Sequence, residues 1–77
     1  MTESANSNKY LVIYEKTPTG YSAYVPDLPV CITTGLTLPD TKKNMQEAIS
    51  GHLAVMREFG DPIPQPTTVA EPMQVPA

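Results

Sequence analysis

Five of the nine prolines lie from Pro62 onward. Proline has no N–H to give a helix or sheet ladder, and it drives the preceding residue out of helical space. Regular structure is thereby pushed upstream, and the chain divides into a body at residues 9–60 and a proline-rich tail at 61–77. Pro62, Pro64 and Pro66 alternate with Ile63 and Gln65, which favours an extended run. Thr67–Ala70 or Met73–Val75 leaves room for a short edge strand, with Pro72 tolerable only at an edge or a break. With 77 residues in all, a second core is excluded, since a domain near this size buries only about 60% of its unfolded surface.

Within the body, β-branched and aromatic residues cluster in Tyr10–Tyr14 and again in Tyr21–Val25, separated by Thr17-Pro18-Thr19-Gly20. The pattern predicts a β-hairpin in which Pro18 presets φ early in the turn and Gly20 takes a positive φ to close it. Pro26-Asp27-Leu28-Pro29 breaks the second strand. Val30–Thr34 is a third strand ended by Gly35. Thr37-Leu38-Pro39-Asp40 is a helix start, with a capping hydroxyl, a proline tolerated in the first turn and an acid at the positive end of the helix dipole. Leu38, Met45, Ala48, Ile49, His52, Leu53, Met56 and Phe59 recur every three or four residues, opposite Lys42, Lys43, Gln46, Glu47, Arg57 and Glu58. A helix from about Leu38 to Phe59 follows, stopped by Gly60. Gly51 inside it signals either close packing or a tolerated weakness. The fold class is α+β, a β-β-β-α-(β) domain with a three- to four-stranded, mainly antiparallel sheet and one helix on one face.

Side chains alternate across a strand, so Tyr10, Val12 and Tyr14 face one way and Leu11 and Ile13 the other. Both faces are apolar, and one helix shelters only one of them. An uncovered apolar face marks a protein interface; the alternative is that the tail folds back over it. Which face the helix covers is left open. The candidate interface residues are Tyr10, Val12, Tyr14, Tyr21 and Tyr24, with the loop Pro26, Asp27, Leu28 and Pro29.

Chemistry finds little to work with. His52 is the only histidine, and it lies on the apolar side of the helix. Cys31 is the only cysteine, in an apolar strand with no charge nearby to activate it, so no disulfide braces the fold. The carboxylates Glu15, Asp27, Asp40, Glu47, Glu58 and Asp61 are scattered, and there is no phosphate-binding glycine loop or zinc-ligand pair. No catalytic residue, metal site or cofactor is expected. A net charge of −3 from five basic and eight acidic residues disfavours nucleic acid as a direct ligand and suits a basic protein partner. The polar start, Met1–Asn8, and the lack of a long apolar run point to the cytoplasm and away from a membrane.

From Tyr10 to Pro66 the sequence resembles the HicB-like antitoxins, a family with a partial RNase H-like fold. The residues that carry the likeness are Tyr10, Val12 and Glu15, then Gly20-Tyr21 and Ala23-Tyr24-Val25-Pro26-Asp27-Leu28-Pro29, Cys31, Thr34-Gly35 and Thr37. Glu47-Ala48-Ile49, His52-Leu53, Gly60, Pro62-Ile63-Pro64 and Pro66 continue it in order. The family commonly has glycine where Val30 stands, and acidic residues plus alanine where Pro39 and Thr41 stand. The resemblance implies a domain that binds and occludes a small, basic HicA-like ribonuclease toxin and assembles into homo-dimers or homo-tetramers. It brings no catalysis, because the clustered carboxylates of true RNase H enzymes have no counterparts here. Many members carry a further DNA-binding module that this sequence is expected to lack. The competing expectation is an orphan homo-oligomeric interaction domain without a toxin partner.

Overall fold

The computed structural model describes residues 9–76; the polar start at 1–8 and Ala77 lie outside it. Three antiparallel strands, β1 (Ile13–Thr17), β2 (Gly20–Tyr24) and β3 (Ile32–Gly35), are followed by one helix, α1 (Leu38–Glu58). The sheet has the order β1-β2-β3, and among the described residues no further strand pairs with either edge.

The hairpin ladder starts three residues later than composition suggests and runs right up to the turn, where Thr17 faces Gly20 across Pro18-Thr19. Tyr10–Val12 have no ladder partner because β2 gives out before Pro26, and the Val25 N–H turns away to the Cys31 carbonyl at 3.1 Å. The third strand likewise begins at Ile32 rather than Val30. Val30 holds a left-handed φ of 59°, a conformation that costs a β-branched residue on the order of 1–3 kcal/mol and suits glycine. Gly20 needs no positive φ, which among the described residues occurs only at Val30 and Gly60. Its requirement is space: a Cβ there would run into the Gly35 carbonyl oxygen and sit 3.0 Å from the Leu36 Cα.

The helix ends follow local chemistry. The Thr37 hydroxyl accepts from the Asp40 N–H at 3.2 Å, and the Thr37 carbonyl accepts from the Thr41 N–H at 2.9 Å and its hydroxyl at 2.7 Å. Thr41 is fully buried with its hydroxyl satisfied, so Gly35 can pack directly against it. At the far end, Gly60 N–H reaches the Arg57 carbonyl and Asp61 N–H the Met56 carbonyl, with Gly60 at a φ of 73°; this is a Schellman stop.

Ala23, Val25, Leu28, Cys31 and Met45 form the buried core, and Tyr10, Val12, Tyr14, Ala48, Ile49 and Leu53 pack around it. A helix laid on the face of Tyr14 and Ala23, which stand opposite each other in the ladder, accounts for this set. Residues 61–76 contain no strand or helix. The edge strand for which the tail left room is therefore absent among the described residues.

Candidate functional site: the open face of the sheet

Packing decides which face is free. Tyr10, Val12 and Tyr14 lie against the core, so the helix shelters their side of the sheet, the choice that the sequence left open. The opposite face shows a row running straight across all three strands, Ile13 beside Tyr24 beside Ile32. Tyr24 is 38% and Ile32 65% exposed. The next two rows by register, Glu15-Ser22-Thr34 and Thr17-Gly20, are polar or small. This face carries one carboxylate and no cation among its strand positions.

The loop after β2 extends the row. Leu28 N–H bonds to the Val25 carbonyl at 3.1 Å and Cys31 N–H to the Leu28 carbonyl at 3.4 Å, two successive turns that drive Leu28 inward. Leu28 is 1% exposed, which corrects its expected place among the surface residues. Pro26, Pro29 and Val30 remain outside, and with Tyr24 and Ile32 they border a shallow hollow of about 260 Å³. Val30 is 88% exposed. Neither it nor Ile32 was nominated from the sequence; strand alternation would have found Ile32 once the strand start was known. Tyr21 lies on the sheltered side, with the Lys16 ammonium 5.3 Å from its ring centre.

Asp27 is engaged by the tail. Its carboxylate accepts from the N–H groups of Thr67 and Thr68, both at 2.9 Å, and from their hydroxyls at 3.2 and 2.6 Å. These bonds favour the charged form, with the Thr68 hydroxyl the largest contributor and the Thr68 N–H next, so the carboxyl titrates below its ordinary 3.8. A second tether is the Tyr10 hydroxyl, which donates to the Pro64 carbonyl. The tail thus crosses the Tyr10 and Asp27 end of the sheet and leaves the Tyr24–Ile32 row exposed.

Cys31 is 4% exposed, and burial pushes its thiol above the usual value, which disfavours the reactive thiolate. Among the described residues, no three of His, Cys, Asp and Glu come together as a metal site, and no helix is long and apolar enough to cross a membrane. What the site offers is a surface: a stiff apolar row with an adjoining proline-edged hollow.

A family model described as the HicB-like antitoxin of bacterial toxin-antitoxin systems matches residues 10–77. The chain belongs to this family. The chain resembles a chain of the solved HicA3 and HicB3 toxin-antitoxin complex with a TM-score of 0.68 and 33% identity, covering 78% of this chain and 70% of that one. It is 36% identical over 62 residues to a 14.9 kDa protein from the rep-hol intergenic region of Haemophilus phage HP1, spanning 80% of this chain but 47% of the phage protein. A UPF0150 protein of Thermoplasma acidophilum is 36% identical over 58 residues, 74% of this chain and 84% of its own length. This HicB-like chain therefore spans about half the length of the phage relative.

Proposed function

We propose that this HicB-like protein is a non-catalytic neutralising module, residues 9–60 forming the binding domain and 61–77 an arm. The open face seats a small basic HicA-like ribonuclease toxin and covers its active surface. The likeness to a chain of a HicA3–HicB3 complex carries this reading. The Ile13-Tyr24-Ile32 row, exposed at Tyr24 and Ile32, supplies the contact, since stiff aromatic and aliphatic side chains are the usual anchors of protein interfaces. Glu15 on the same face and the chain's net charge of −3 favour a basic partner. The cytoplasm suits a protein whose only thiol is a buried, unpaired one.

The test is co-expression with an adjacent small basic toxin, followed by affinity measurement on the purified pair. Ile32→Asp is expected to weaken capture at least about 30-fold, roughly 2 kcal/mol, while far-UV circular dichroism stays unchanged because Ile32 is exposed. Capture that survives both Ile32→Asp and Tyr24→Asp would remove this face from the interface. A homo-oligomeric domain without a toxin is the second reading, favoured by the same bare apolar row; light scattering on the isolated chain combined with failure to capture any toxin would select it.

A further inference from the structure

Val30 stands where its side chain does little for the isolated chain. The Cys31 N–H donates to the Leu28 carbonyl at 3.4 Å, which makes Leu28-Pro29-Val30-Cys31 a four-residue turn with Pro29 in the second position and Val30 in the third. A positive φ at the third position, here 59°, is the mark of a type II turn. Such a turn calls for glycine or asparagine there, because a branched Cβ crowds the left-handed backbone. The turn has no freedom to relax. Pro29 has its own φ fixed by its ring, Leu28 and Cys31 on either side are buried in the core, and the Cys31 carbonyl is held by the Val25 N–H at 3.1 Å. Burial does not offset the strain, since Val30 is 88% exposed.

Backbone strain of this kind gathers where a chain meets a ligand or partner. Val30 borders the hollow of about 260 Å³ together with Tyr24, Pro29 and Ile32, and no residue lining that hollow is charged. Small-molecule sites run to about 300–1,000 Å³, so a space of this size suits one apolar side chain rather than a whole ligand. Because the backbone beneath Val30 is already fixed by its buried neighbours, seating a partner there requires little ordering of the loop.

We propose that Val30 is a partner-contact residue held at a cost to the stability of the free chain, forming with Tyr24 and Ile32 the wall of a socket that receives one uncharged apolar side chain of the toxin. This role presupposes the antitoxin reading and adds to it the residue and the chemistry by which the hollow grips.

Val30→Asn and Val30→Gly test it, because both remove the apolar wall while suiting the left-handed backbone. Loss of binding then cannot be laid to loss of folding. Val30→Asn is expected to melt about 4 °C or more above the parent chain, and Val30→Gly, which also loosens the unfolded chain, no lower than the parent. Both are expected to weaken capture of the adjacent small basic toxin at least about 10-fold, through faster dissociation of the purified pair. A Val30→Asn protein that melts below the parent would make Val30 a structural residue, and capture unchanged in both variants would leave the wall without a role. Either result overturns the proposal and leaves the antitoxin reading to be judged by Ile32→Asp. A parent chain that captures no toxin would remove the antitoxin reading, and this role with it.

Discussion

At the Leu38 end of α1, Thr41 is fully buried and Met45 is 1% exposed, whereas at the other end Val55 and Phe59 leave 51% and 74% of their surface in water. The glycines mark the same contrast. A Cβ on Gly35 would lie 2.8 Å from the Thr41 nitrogen and 2.9 Å from its Cα, while one on Gly51 would meet nothing within 4 Å. Beside the exposed half of the helix runs an open groove of about 500 Å³, bordered by Tyr10, Ile49 and Leu53 with Lys9 and Arg57 at its rim. One end of the helix is locked to the sheet by backbone-to-backbone proximity, and the other is held by half-buried side chains alone. Specificity of the fold resides in the first end; tolerance to change resides in the second.

Gly35→Ala should break this contrast most severely. The clash is with backbone atoms, which cannot rotate aside, so a loss of about 1–3 kcal/mol or more is expected, read as a lower urea midpoint. At about 4–8 °C per kcal/mol for a domain of this size, thermal melting would report the same change. A loss well below this range would show that the helix start has room to shift.

Gly51→Ala probes the other end and carries the opposite sign. With space around it and a helical backbone, alanine should stabilise by about 0.8–1 kcal/mol. A destabilised Gly51→Ala protein would mean that the far half of α1 packs against a surface, most simply a second chain.

The smallest effect on global stability is expected at the Asp27 clamp, where pH rather than substitution sharpens the comparison between body and tail. Because the carboxyl of the folded chain titrates below 3.8, its contribution is complete at higher pH and fades as pH falls below that value through the lowered one. Amide exchange at Thr67 and Thr68 should therefore accelerate under acid before the core amides do, and Asp27→Asn should flatten that dependence. Equal acceleration of core and tail amides would refute the separation.

The order of elements, the Thr37 and Gly60 caps and the helix span were legible because each rests on residues within one turn of one another. The strand start was not. Tyr10 and Val12 are apolar because they join the core, and composition alone does not distinguish a packed strand from a packed coil whose partner has ended at Pro26. Leu28 read as surface because Pro-Asp-Leu-Pro is a turn sequence, and its inward direction depends on two consecutive turns closing on Val25 and Cys31. Tyr10, Val12 and Tyr14 were grouped by alternation and do share a side, yet which side the helix covers is a tertiary choice that also separates Tyr24 from them. Asp27 pairs with residues 40 and 41 positions away, a distance over which no local pattern operates.

That separation also sets a sequence in time. The meander and helix join elements that adjoin along the chain, the kind of topology that forms quickly, whereas the aspartate must wait for two threonines that leave the ribosome after the whole body has emerged. Synthesis therefore delivers the sheet and helix first and fastens the arm's root last. A nascent chain would present its bare face before its strap is buckled.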